Sequence, residues 1–329
     1  MLVQIYEIQK PWEAEQMIAL GVDHLGSVIT DRENWRDPAV REVVRLTAGT
    51  ASRSSVIPLF SDVDAVSRIL DYYQPDIVHF CENLPLRPEG EDRRGAATEK
   101  LVHLQAVVRE RFPNVKIVRS LPVPGAVSVN MTGRVKTLAG VPGAEGFSPG
   151  ETGSAMRGDG RRDYDAHPPD HVPEDDLLLG SQGDATWLSR TDPRVTASAS
   201  AVKAGLKGLL DIFAPGSDFF MTDTLLAGPG GAGEDTVQPV AGFVGITGAT
   251  CDWEIGAWLV RVSPRPVILA GGLGPENVAA AIARVRPVGV DSCTRTNAVD
   301  PLGRPIRFQK DINKVRRFVA AARRAERKL

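Results

Sequence analysis

The chain has 329 residues, 42% hydrophobic and 24% charged, enough apolar side chain for a sizeable core, and this excludes global disorder. Lys and Arg number 39 against 41 Asp and Glu, a net charge of -2, so no basic excess points to nucleic acid or an anionic membrane. Three cysteines cannot form a disulfide framework and suit a reducing cytoplasm; the start MLVQIYEIQKPWE lacks a signal peptide's pattern, and no run approaches the roughly 18 apolar residues of a membrane span.

The predicted elements alternate between short apolar runs and longer helical patterns. Strand Leu2–Tyr6 precedes helix Trp12–Leu20, which Pro11 opens and Gly21 closes. Strand His24–Ile29 and helix Pro38–Leu46 follow, then strand Ser55–Phe60 and helix Asp62–Tyr73, with Asp62 as N-cap. Strand Asp76–Cys81 leads to helix Ala97–Phe112, and Val115–Leu121 is the fifth strand. Later come helix Val202–Phe213, strand Asp218–Thr224, helix Asp252–Val262, strand Pro266–Ala270, helix Pro275–Val285, strand Val288–Cys293 and helix Asp311–Arg324. Strict alternation implies parallel strands with right-handed crossovers, and eight units favour a closed (β/α)8 TIM barrel over an open sheet. The expected layout is a single barrel, residues 1–123 and 199–329, interrupted after the fifth strand by a long Gly/Pro-rich insertion over 124–198. That composition predicts a flexible excursion rather than core.

A barrel of this kind carries its active site at the C-terminal ends of its strands. The first strand delivers Tyr6 and Glu7, the second leads toward Arg36, the fourth delivers His79, Cys81 and Glu82, and the sixth delivers Asp223 and Thr224. The eighth delivers Asp291, Ser292, Cys293, Thr294 and Arg295. Between them, Gly271-Gly272-Leu273-Gly274 runs from an apolar strand toward a helix, and Gly245-Ile246-Thr247-Gly248 precedes a second helix start. Glycines there let backbone N–H groups approach an anion, and the last two strand ends are the usual phosphate cradle of such barrels. Tight turning alone explains either loop; the two together favour phosphate binding. The cysteines with His79 show no metal-ligand spacing, and the Asp/His-rich patch around His167 and His171 reads as a solvated loop, so neither metal nor cofactor is expected.

The late sequence resembles the phosphoribosylanthranilate isomerase family. The residues that carry the resemblance are Phe220-Met221-Thr222-Asp223-Thr224, Gly245 to Trp253, Pro266 to Val278, Arg286 to Ser292, and Lys310-Asp311; weaker similarity covers Val3-Gln4-Ile5, Gly21-Val22-Asp23 with Gly26, and Ile77-Val78-His79. The resemblance implies an Amadori rearrangement of a phosphoribosyl-amine, an aldose-to-ketose isomerisation belonging to tryptophan biosynthesis. It places the general acid at Asp223 and the general base after the first strand. The family has Cys then Gly at that second place, where this chain has Tyr6 and Glu7. Glu7 or Tyr6 is therefore the candidate base; an unperturbed phenol titrates near about 10 and is a poor base at neutral pH. Gly245, Thr247, Gly248, Gly271, Gly272, Ser292, Arg295 and Arg36 form the expected substrate and phosphate site, with Arg295 a fixed charge where the family has Gly. The expected ligand is a small phosphorylated sugar, with no nucleic acid or membrane partner. The alternatives are another phosphosugar enzyme on the same barrel, or a non-catalytic ligand-binding paralogue.

Overall fold

Side chains that satisfy helix ends set the element boundaries. Asp37, Asp62, Asp252 and Asp311 each accept N–H bonds from the first turn of the helix that follows, and Pro11 and Pro38 occupy the first turn of theirs. The computed structural model describes residues 1–86, 95–125, 127–129, 135–137, 193–226 and 238–329. In chain order its elements are β1 (Leu2–Ile5), α1 (Pro11–Ala19), β2 (His24–Ile29), α2 (Pro38–Thr47), β3 (Arg53–Pro58), α3 (Val63–Tyr73), β4 (Ile77–Phe80), α4 (Ala96–Arg111) and β5 (Lys116–Pro124). They continue with β6 (Val127–Val129), β7 (Val135–Thr137), α5 (Pro193–Phe213), β8 (Phe219–Leu225), α6 (Trp253–Val262), β9 (Val267–Leu269), α7 (Val278–Val285), β10 (Gly289–Ser292), β11 (Asn297–Val299), β12 (Pro305–Lys310) and α8 (Ile312–Glu326).

Eight strands close into a parallel barrel in the order β1-β10-β9-β8-β5-β4-β3-β2, the (β/α)8 architecture that the alternation predicts. Two antiparallel pairs stand outside it, β6 with β7 and β11 with β12. Neither hairpin is visible in the sequence pattern. Helix α5 starts at Pro193, nine positions before the expected Val202, and β5 stays paired to β8 as far as Pro124↔Leu225. Most of the expected 124–198 excursion, and with it His167 and His171, lies outside the described residues.

Strand alternation sorts the side chains into two cores. Val3 and Ile5 of β1, Phe220 of β8, Leu269 of β9 and Val290 of β10 face the helices and join Leu206, Leu210, Phe213, Ile282 and Phe318 in the large outer cluster. Tyr6, Val28, Ile57, Ile77, Val118, Met221 and Ile268 fill the lumen. Arg119 of β5 is wholly buried on the outer side, ion-paired to Glu82, donating from Nε to Gln105 Oε1 at 2.8 Å and held between the rings of Phe80 and Phe213. Such a charge is tolerable only because it is paired.

Candidate active site

The upper lumen carries a line of polar groups. Ser120 Oγ of β5 donates to Asp223 Oδ2 of β8 at 2.5 Å and lies 2.7 Å from His79 Nε2 of β4. The hydroxyl's single proton goes to Asp223, so His79 Nε2 donates to Ser120, and its Nδ1 is left without a partner. His79 is a neutral imidazole: burial, with the nearby Arg119 charge, lowers its pKa to about 3. Burial also pushes the Asp223 carboxyl well above the usual carboxylate range, the Ser120 bond opposes this in part, and the charge of Asp291 adds to the rise. A Cβ at Gly245 would stand 2.6 Å from Asp223 Oδ1, so this oxygen lies directly against the first glycine loop.

Above Asp223 opens a cleft lined by both glycine loops, Asp291, Cys293, Thr294 and Arg295. Gly245 (φ 100°), Ile246 (φ 61°) and Gly248 (φ 65°) turn the first loop through left-handed backbone, and Gly271 (φ 102°) and Gly272 (φ 57°) do the same in the second. The loops interlock: a Cβ at Gly272 would sit 2.5 Å from the carbonyl carbon of Ala249, whose oxygen accepts from Thr224 Oγ1 at 2.7 Å. Asn277 braces the second loop, accepting from Gly274 N at 2.8 Å and donating to Gly272 O at 2.9 Å. Arg295 spans both, with Nε 3.3 Å from Gly248 O and an ion pair to Glu276 at 2.8 Å.

The expected site residues divide. Asp223, Gly245, Thr247, Gly248, Gly271, Gly272 and Arg295 meet around one cleft. Ser292 lies beneath it, donating to Leu273 O at 2.7 Å. Arg36 stacks over Trp35 at 4.6 Å on the second strand's loop, outside the cleft lining. Tyr6 is buried in the lumen, 3.1 Å from Ser55 Oγ and tilted against the His79 ring at 5.2 Å. Burial and then the Asp291 charge push its phenol well above its ordinary pKa. Glu7 follows the end of β1 with φ 64°, fitting the left-handed place that a glycine would take, and accepts from Arg307 Nε at 2.7 Å and Asn297 Nδ2 at 3.1 Å. Burial pushes the Glu7 carboxyl up, but Arg307, Lys310 and these bonds together outweigh it and hold its pKa below the usual value. Among the described residues, no group of three or more His, Cys, Asp or Glu could hold a metal ion.

Asp291 enters the cleft lining although the sequence reading left it off the site. Gln4 Nε2 donates to Asp291 Oδ1 at 3.1 Å, and His24 Nδ1 donates to Gln4 Oε1 at 3.1 Å. Burial raises the Asp291 carboxyl to about 7, against the Gln4 bond and the Lys310 charge. Its place at a strand end was the available signal.

Residues 240–321 match the family model described as N-(5'-phosphoribosyl)anthranilate (PRA) isomerase. An N-(5'-phosphoribosyl)anthranilate isomerase of Roseiflexus castenholzii is 49% identical over 90 residues, 27% of this chain and 37% of that protein. One from Methanosarcina mazei is 35% identical over 125 residues, 38% of this chain and 46% of that protein. The chain therefore spans less than half the length of these curated relatives. A phosphoribosyl anthranilate isomerase solved in complex with reduced 1-(o-carboxyphenylamino)-1-deoxyribulose 5-phosphate gives a TM-score of 0.50 at 14% identity, covering 98% of this chain and 99% of that chain. A Thermotoga maritima phosphoribosylanthranilate isomerase gives 0.51 at 14% identity with the same coverage. At such identity the likeness is one of fold.

Proposed function

We propose that this chain is a member of the N-(5'-phosphoribosyl)anthranilate isomerase family and catalyses the aldose-to-ketose rearrangement of a phosphoribosyl-amine. The observation that carries the reading is a buried Asp223, its carboxyl pushed up by burial, lining the same cleft as the two left-handed glycine loops. A solved relative's phosphorylated ligand supports the same substrate class here.

In this reading the phosphate sits on the backbone of the Gly245–Gly248 and Gly271–Gly272 loops, with the Arg295 charge beside them. Binding energy at that end fixes the sugar relative to Asp223. Asp223 gives its proton to the ring oxygen, opening the furanose to a Schiff base. A base then removes the C2 proton to form an enolamine, which becomes the 1-deoxyketose when C1 is protonated. The rearrangement is redox-neutral, since C1 gains the hydrogen that C2 loses. Acid and base each supply typically about 10²–10⁴-fold. No helix among the described residues is long and apolar enough to cross a membrane. We place the activity in the cytoplasm, where the free cysteines Cys81, Cys251 and Cys293 stay reduced.

A second reading, another phosphosugar enzyme on this barrel, is favoured by one observation: the Tyr6 ring fills the lumen where the family carries a thiol. Complementation of a tryptophan auxotroph lacking this isomerase separates the two. The wild-type gene restores growth and Asp223→Asn does not; no growth from well-expressed wild type selects the second reading.

A further inference from the structure

The rearrangement needs a base, and neither first-strand residue is free to act. The Tyr6 phenol is buried against Ser55 and His79, and the Glu7 carboxylate is occupied by Arg307 and Asn297. Neither lines the cleft. Asp291 does. It stands on β10, the strand hydrogen-bonded to β1, with Asp291 in register with Gln4. Barrel order puts β9 between β10 and β8, so Asp291 and Asp223 flank the strand whose end carries Gly271 and Gly272. A phosphosugar anchored on those glycines lies between two carboxyl groups. Gln4 holds Oδ1 of Asp291, while Oδ2 makes no hydrogen bond among the described residues.

We propose that Asp291 is the general base of this isomerisation, taking from the neighbouring strand the role that the first strand has lost. The inference rests on the isomerase reading above. In the step, the C2–H bond breaks and the proton goes to a carboxylate oxygen of Asp291. The C–H electron pair becomes the C1=C2 bond, and the π pair of the protonated imine returns to nitrogen as a lone pair. Loss of the C2 hydroxyl proton and protonation at C1 complete the ketose with no net gain of protons or electrons. The groups facing Asp291 suit this division of labour. Burial pushes the Asp223 carboxyl up and keeps the Tyr6 phenol and the Cys293 thiol protonated, and the Lys310 charge from β12 opposes the burial of the Asp291 carboxylate. Asp291, held through Oδ1 by Gln4, and Asp223, held through Oδ2 by Ser120, are two carboxyl groups in different surroundings, as a base and an acid require.

The test uses the full chain and phosphoribosylanthranilate, with wild type, Asp291→Asn and Cys293→Ser. Asparagine keeps the acceptor for Gln4 and the shape of the side chain. The expected result is a fall in kcat of about 10²–10⁴-fold for Asp291→Asn, with inorganic phosphate affinity by calorimetry close to wild type. The wild-type kcat should fall on acidification with a midpoint near 7, as Asp291 takes up its proton, and Cys293→Ser should leave that midpoint in place. If Asp291→Asn fails to bind phosphate or to fold, the wild-type and Cys293→Ser profiles decide alone. Turnover of Asp291→Asn within about tenfold of wild type, a profile without an acid limb, or a limb that moves with Cys293→Ser overturns the assignment. Wild type that binds phosphate but does not convert phosphoribosylanthranilate refutes the isomerase reading itself, and the base assignment falls with it.

Discussion

Gly26 of β2 and Tyr6 are an interlocked pair: a Cβ on Gly26 would lie 1.7 Å from Tyr6 Cδ1. The ring occupies the space that the missing side chain leaves, so its position is fixed by packing as well as by the Ser55 bond. Gly26→Ala alone should destabilise the chain by about 1–3 kcal/mol or more, the cost of overpacking. In a Tyr6→Ala background the same change should cost less, since the ring atoms nearest the new methyl are then gone. Denaturant unfolding of the four proteins in that cycle measures the coupling, and equal costs in both backgrounds would contradict it. At this scale Asp223 and the glycine loops were legible because each sits inside a run of motif residues whose backbone demands are visible in the letters. The fate of Tyr6 and Glu7 was not. β1 ends at Ile5, and Glu7 adopts a left-handed conformation, so strand alternation does not extend to this pair. Asp291 was visible as a strand-end carboxylate, but its access to the cleft depends on neighbouring strands that no local pattern records.

The β11–β12 hairpin reaches back over the first strand's end. Its Arg307 and Lys310, with Asn297, surround the buried Glu7. Glu7 has a folded pKa below its unfolded value, so the stability it contributes is present above the unfolded value and is lost as pH falls through the folded one. Arg307→Ala should therefore cost about 1–3 kcal/mol at neutral pH, as for a charged hydrogen bond removed from a buried carboxylate. The gap to wild type should narrow below about pH 4.5, where the unpaired carboxyl can take up a proton. Thermal unfolding at the two pH values checks this, and a pH-independent gap would mean that Arg307 acts by packing alone. The hairpin escaped the sequence reading because β11 has three residues, and Val299 and Ile306 are exposed where a strand pattern would bury them. The eight barrel strands and their helices were legible for the opposite reason. Asp62, Asp252 and Asp311 cap helices α3, α6 and α8, and after His24 the buried strand β2 carries continuous apolar or small residues.

Across the whole molecule, closure of the barrel brings Asp223 of β8, the glycine loops after β8 and β9, and Asp291 of β10 to one rim. Counting eight alternating units was enough to predict that rim, because in a parallel barrel the C-terminal ends of all the strands share one face. Count alone could not show that α5 starts at Pro193, since the segment before it lacks the apolar periodicity that marks the rest of that helix. The isomerase proposal turns on this rim. Its most direct test incubates the purified full chain with phosphoribosylanthranilate, without added oxidant or reductant, and follows the sugar's C1 and C2 resonances by NMR. Stoichiometric conversion to the 1-amino-1-deoxyketose 5-phosphate is expected, slowed by about 100-fold or more in Asp223→Asn. A folded wild-type protein that leaves the substrate at its uncatalysed rate would contradict it.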